Sequence, residues 1–126
     1  MGSEAILDRL RKICLALPGA TEKVSHGEPT WFAGTGAKPK VFAMFDDHHH
    51  GGAHVSVYVP TAPGQQTALV EAEPERYWIP PYGGYRGWVA VILDTRPDWS
   101  AVEHLVTEAF CLVAPRSLRA KVPGRA

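Results

Sequence analysis

Cysteine is scarce in this chain: Cys14 and Cys111 are the only two among 126 residues. That is too few for a disulfide framework. Each falls in an apolar helical pattern, so both are expected to be small buried hydrophobes in a reducing cytoplasm. A Cys14–Cys111 bridge would require the terminal helices to pack together. Surplus charge is absent too. Lys+Arg and Asp+Glu number 13 each, for a net charge of zero. This argues against a protein that coats nucleic acid by bulk electrostatics, because neutralising phosphates takes a basic surplus. No apolar run is long enough to span a membrane, and Arg9, Arg11 and Lys12 interrupt the apolar residues near the N-terminus. Neither a signal peptide nor a membrane span is therefore expected. Repeats and low-complexity linkers are missing as well. What is present is a chain 45% hydrophobic and 21% charged, sufficient for a genuine core in one domain over residues 1–126.

The spacing of Ile6, Leu10, Ile13, Cys14 and Leu17 predicts a helix from about Ser3 to Leu17, stopped by Pro18-Gly19. Short strands follow at Pro29–Ala33, Lys40–Phe45 and His54–Val59. In the last, Val55, Val57 and Val59 alternate with Ser56 and Tyr58. Gly34–Pro39 and Asp46–Gly52 read as hairpin connections, which makes the pairing antiparallel. Pro63-Gly64 opens a short helix to about Ala72, which Pro74 closes. Arg76–Ile79 reads as a fourth strand. Trp88–Leu93 reads as a fifth, apolar on both faces and therefore central or covered. Asp98 is a good N-cap for a last helix carrying Val102, Leu105, Val106, Ala109 and Val113 on one stripe, ended by Pro115. A basic tail, Arg116 to Ala126, is expected to be flexible. The fold class is α+β: a single antiparallel β-sheet flanked by N- and C-terminal helices in two layers.

Chemistry-bearing motifs are few. There is no G-x-S-x-G, no cysteine in a loop and no evident carboxylate pair, so no catalytic constellation supports an enzyme. The Gly83–Gly87 loop lacks both G-x-G-x-x-G and the Walker lysine, and a strand follows it rather than a helix. The most informative stretch is Pro80-Pro81-Tyr82-Gly83-Gly84-Tyr85-Arg86-Gly87-Trp88. Prolines restrict one side of it and glycines permit tight turns on the other. Loops with large rings and few charges are commonly recognition surfaces. His26, between Ser25 and Gly27, is a candidate general base beside a pocket formed with Tyr82 and Arg86, although a lone loop histidine is more often structural.

The run Asp46-Asp47-His48-His49-His50-Gly51-Gly52-Ala53-His54 carries metal-type ligands. Alternation along a strand lets at most His48 and His50 converge, with His54 or Asp46 as a third group. Without CxxC or HExxH spacing, a polar hairpin tip is the better reading. No metal or other cofactor is expected.

Three groups of residues together resemble the MmcQ/YjbR family. They are Leu17-Pro18-Gly19, His26-Gly27-Glu28-Pro29-Thr30-Trp31-Phe32 and Asp46–Gly51. Pro74-Glu75-Arg76-Tyr77-Trp78, Pro80-Pro81-Tyr82, Arg86-Gly87-Trp88 and Val113-Ala114-Pro115 continue the likeness over nearly the whole chain. The resemblance implies a CyaY-like α+β fold and a DNA-binding label that rests on analogy of fold. The acidic helix face that frataxins use for iron is not matched, since the first helix offers only Glu4 and Asp8. DNA is accordingly one expected partner; a small molecule or a protein partner, bound without catalysis, is the alternative. In either case the expected binding surface comprises His26, Trp31, Tyr82, Tyr85 and Arg86, with Lys40, Arg116, His48 and His50 as weaker candidates. Trp31, Tyr82 and Tyr85 would stack, and Arg86 would meet an anion.

Overall fold

Ile6, Leu10 and Cys14 bury the inner stripe of α1 (Ser3–Leu15). The helix stops two residues before the expected end because Leu17 precedes Pro18, whose ring disfavours helical backbone in its predecessor. The computed structural model describes residues 2–34, 36, 38–48, 53–81 and 83–124. After α1 come β1 (Ala20–Ser25), β2 (Glu28–Ala33), β3 (Lys40–Asp47), β4 (Val55–Pro60) and α2 (Gln65–Ala72). Then follow β5 (Tyr77–Trp78), a 3-10 turn over Gly84–Arg86, β6 (Trp88–Ile92), α3 (Trp99–Val113) and α4 (Arg116–Arg119).

The strands make one six-stranded sheet in the order β1-β2-β3-β4-β6-β5. All neighbours pair antiparallel. The expected α+β class holds, and β6, expected to be central or covered, lies inside the sheet between β4 and β5. β1 is an addition to the sequence reading. Its Glu22, Lys23 and exposed Val24 lack the apolar alternation of a half-buried strand, as is common for sheet edges that must resist further pairing.

One face of the sheet carries the core. Trp31, Phe42, Ala43, Phe45, Val57, Val59, Val89 and Val91 pack there with the buried stripes of α1 and α3. Phe42 and Phe110 meet edge to face at 5.2 Å. Asp98 caps α3 as expected, its Oδ1 accepting from the backbone N–H of Ser100 at 3.0 Å and of Ala101 at 3.2 Å. Cys14 and Cys111 are both buried and unbridged. In the basic tail, α4 forms and Val122 is buried. No helix among the described residues is long and apolar enough to cross a membrane.

Candidate functional site

The floor of the site lies on the opposite sheet face, where a register fault creates it, and at the end where β3 begins the cleft reaches Val113 on the α3 side. The β2–β3 pairing runs Thr30↔Met44 and Trp31↔Ala43, then shifts to Phe32↔Val41. Phe42 is thus an extra residue on β3, a β-bulge. Val41 and Met44 are three apart, so strict alternation would send them to opposite faces. The bulge puts both on the face away from α1 and α3.

A short loop closes the site from above. Gly83 has φ +76, and a Cβ there would stand 2.7 Å from Trp88 Cγ. Only glycine lets the backbone lie this close to the indole. Gln66 Nε2 donates to the carbonyls of Gly84 at 2.7 Å and Trp88 at 2.6 Å, and Thr61 Oγ1 donates to that of Gly87 at 2.6 Å. These bonds satisfy the turn's carbonyls from α2 and the end of β4, so the loop is fastened at both ends. From it Tyr85 projects with 90% of its surface exposed. A large ring that exposed, on a turn that well anchored, is available for contact rather than for packing.

Floor and loop together bound a cleft of ≈ 560 Å³, within the range of small-molecule sites. Its lining is Pro39, Val41, Met44, Pro60, Pro81, Gly83, Tyr85, Trp88 and Val113, with Lys40, Arg86 and His26 as the basic members. No carboxylate lines it among the described residues. β3 and β6 both run antiparallel to β4, so they start at the same end of the sheet. Lys40, the first residue of β3, and Arg86, two residues before β6, therefore flank one end of the cleft. His26 marks the other.

Of the residues expected to form the surface, His26, Tyr85, Arg86 and Lys40 line this cleft. Trp31 does not. It is fully buried on the core face, and its indole Nε1 donates to Glu22 Oε1 at 2.8 Å. Arg11 donates to the same carboxylate through Nε at 2.8 Å and Nη2 at 3.0 Å. Trp31 therefore helps to tie α1 to the first hairpin. The Arg11 bonds, followed by that from Trp31, hold the Glu22 carboxyl below its ordinary value. Tyr82 and His50 lie outside the described residues. His48 is exposed, 2.8 Å from Asp47 Oδ1 through Nδ1, and Arg116 begins α4; neither lines the cleft.

His26 and Gly27 both have positive φ between Ser25 and Glu28, a paired couple of β1 and β2. Two such residues are the requirement of a type I′ hairpin turn. The left-handed conformation at His26 is one that histidine adopts more readily than most other non-glycine residues. Sequence reasoning does not single out Val41, Met44 or Pro60, and it reads Trp88 as the start of an apolar strand. The bulge that gathers Val41 and Met44 has no local sequence signal.

Beyond the cleft, the same sheet face carries a buried polar group of Thr30, Asp46 and Ser56, with Tyr58 almost fully covered beside them. Trp78 meets Tyr58 edge to face at 5.8 Å, and its Nε1 donates to Ser56 Oγ at 3.3 Å. Burial, then the nearby Asp46 charge, pushes the Tyr58 phenol up. At the hairpin end, His54 Nδ1 lies 3.1 Å from Asp94 Oδ1, while Asp94 Oδ2 accepts from the Val55 N–H at 3.1 Å. No group of three or more metal-type ligands occurs among the described residues.

The family model named YjbR matches residues 15–112. Among solved structures, the chain is similar to the crystal structure of Deinococcus radiodurans protein DR2400, which has the family-model domain DUF419. The TM-score is 0.76 at 19% identity, with 95% of this chain and 94% of that one covered. At that identity the likeness concerns the fold. No curated protein matches the chain. Since the family model spans well over half of the sequence, this chain belongs to the YjbR family.

Proposed function

We propose that this protein is a non-catalytic binding module that receives a small ligand with an apolar body in the cleft between β3, β4, β6 and the 3-10 turn that carries Tyr85. One observation carries the reading: Tyr85 is 90% exposed at the mouth of a largely apolar cleft, on a turn held by three side-chain hydrogen bonds. A pre-ordered loop has little conformational entropy left to lose on binding. Amide NMR during a screen of small aromatic and aliphatic compounds tests it. Shifts should concentrate at Val41, Met44, Gly83–Trp88 and Lys40. Ligands whose shifts map only to other surfaces would reject the cleft as the site.

Single-stranded DNA is the second reading. Tyr85 offers a stacking ring and Arg86 and Lys40 offer phosphate contacts, and Lys23 Nζ lies 5.9 Å from the Phe32 ring centroid on the same sheet face. Zero net charge weighs against it. Titration of labelled oligonucleotides at several salt concentrations separates the two readings. DNA binding here requires Arg86→Ala to flatten the salt slope and Tyr85→Ala to weaken affinity with little change in slope. No saturable binding at low salt removes DNA as the ligand.

A further inference from the structure

The charge at the cleft mouth is one-sided. Arg11 and Arg76 elsewhere are each paired with a carboxylate. Among the described residues, neither Lys40 nor Arg86 makes an ion pair, and no carboxylate shares the cleft with them. Both stand at the end of the cleft where β3 and β6 begin, with β4 between them. Two strand spacings separate β3 from β6, roughly 10 Å, a gap that a single anionic group can enter with both long side chains turned toward it. Next to this end lie Trp88 and the exposed ring of Tyr85. Cation, ring and apolar floor therefore meet in one place.

Resting on the cleft as the binding site, we propose that its ligand is a planar aromatic anion. The ring packs on Tyr85 over the floor of Met44 and Trp88, and the carboxylate or phosphate lies between Lys40 and Arg86. A guanidinium fork matches either anion in two-point geometry. Aromatic stacking on an exposed tyrosine adds affinity without regard to which ring is offered. The cleft's lack of carboxylates leaves a cationic ring with no counter-charge, so the site discriminates by sign as well as by shape.

Four matched probes test the assignment: naphthoate, naphthyl phosphate, neutral naphthamide and naphthylmethylammonium, each titrated with amide NMR and calorimetry at low salt. The acid or the phosphate should bind about tenfold or more tightly than the amide, and the ammonium weakest. Whichever anion binds better identifies the anionic group of the ligand. In Arg86→Gln/Lys40→Gln that preference should fall to within about twofold, while naphthamide binding stays level. Tyr85→Ala should weaken all ring-bearing probes about tenfold. Equal binding of acid and amide at the cleft, or a preference that survives the double variant, overturns the aromatic-anion assignment and leaves the cleft as the site. Failure of every probe to shift a cleft resonance overturns both.

Discussion

Replacing Gly83 with alanine tests whether the Tyr85 turn is as rigid as its contacts indicate. The substitution has two costs. The first is backbone: at φ +76 an L-residue is strained by about 1–2 kcal/mol, offset by roughly 0.4–1 kcal/mol from the less flexible unfolded chain. The second is steric. The new Cβ would sit 2.7 Å from Trp88 Cγ and 3.1 Å from its Cβ and Cδ1, and Trp88 is held in β6 by its pairing with Pro60 of β4. Forcing a methyl into such a site costs about 1–3 kcal/mol, so the total is about 2–4 kcal/mol. Gly64 supplies the control, since it has φ +84 with nothing within 4 Å of a Cβ. Gly64→Ala bears only the backbone cost, about 1 kcal/mol net. Gly87→Ala is a second control inside the loop, with φ +89 and its nearest atom, the Thr61 carbonyl oxygen, 3.8 Å away. Urea unfolding of the three variants, compared through midpoints at constant slope, reads the difference directly. If Gly83→Ala and Gly64→Ala agree within about 0.5 kcal/mol, the loop does not press on Trp88, and the argument for a preformed cleft fails with it.

Three further outcomes follow from contacts away from the cleft. Glu22→Gln should cost about 1–2 kcal/mol near neutral pH, allowing for the partial exposure of Arg11 and Glu22. Because the folded Glu22 carboxyl is held below its ordinary value by Arg11 and Trp31, its contribution is present above the unfolded carboxylate pKa and is lost as pH falls through the folded one. Denaturation midpoints of wild type and variant should therefore converge on acidification, and a gap that stays constant to acid pH refutes the coupling. Asp98→Ala removes the acceptor for two N–H groups of α3 and should lower stability by about 1 kcal/mol, whereas Asp98→Asn should recover most of it in the same unfolding assay. Cys14 is fully buried, and burial followed by the Glu22 charge pushes its thiol up. A thiol reagent should therefore label it only at the rate of opening or unfolding. Rapid labelling of Cys14 in the native protein refutes that placement.

How much of the site could be read from the chain depends on which residues are asked about. Tyr85 and Arg86 were legible because local chemistry dictates their setting: prolines, glycines and rings in one short stretch make an exposed turn in almost any fold. His26 was legible as a loop residue, yet the pairing of Ser25 with Glu28 is what makes it half of a hairpin turn. Trp31 was misplaced. In the sequence it stands beside another ring, Phe32, with nothing to say which of the two faces the core, and only the pairing of Trp31 with Glu22 across β1 and β2, together with the reach of Arg11 from α1, shows that Trp31 is the one turned inward. Val41, Met44 and Pro60 carried no signal, since an apolar residue in a strand looks alike on either face.

By itself the sequence determined the α+β class, the two amphipathic terminal helices with the Asp98 cap, the covered character of β6 and the membership of a family. Each of these depends on periodicity, composition or motif order, which are properties of neighbours along the chain. Tertiary structure alone decided the strand order β1-β2-β3-β4-β6-β5, the edge strand β1 and the bulge at Phe42. It also decided that Lys40 and Arg86 line the same cleft. Those outcomes depend on which strands pair and in what register. Pairing is set by the joint burial of side chains far apart in sequence, and one extra residue in one strand is enough to change the face on which the rest of it lies.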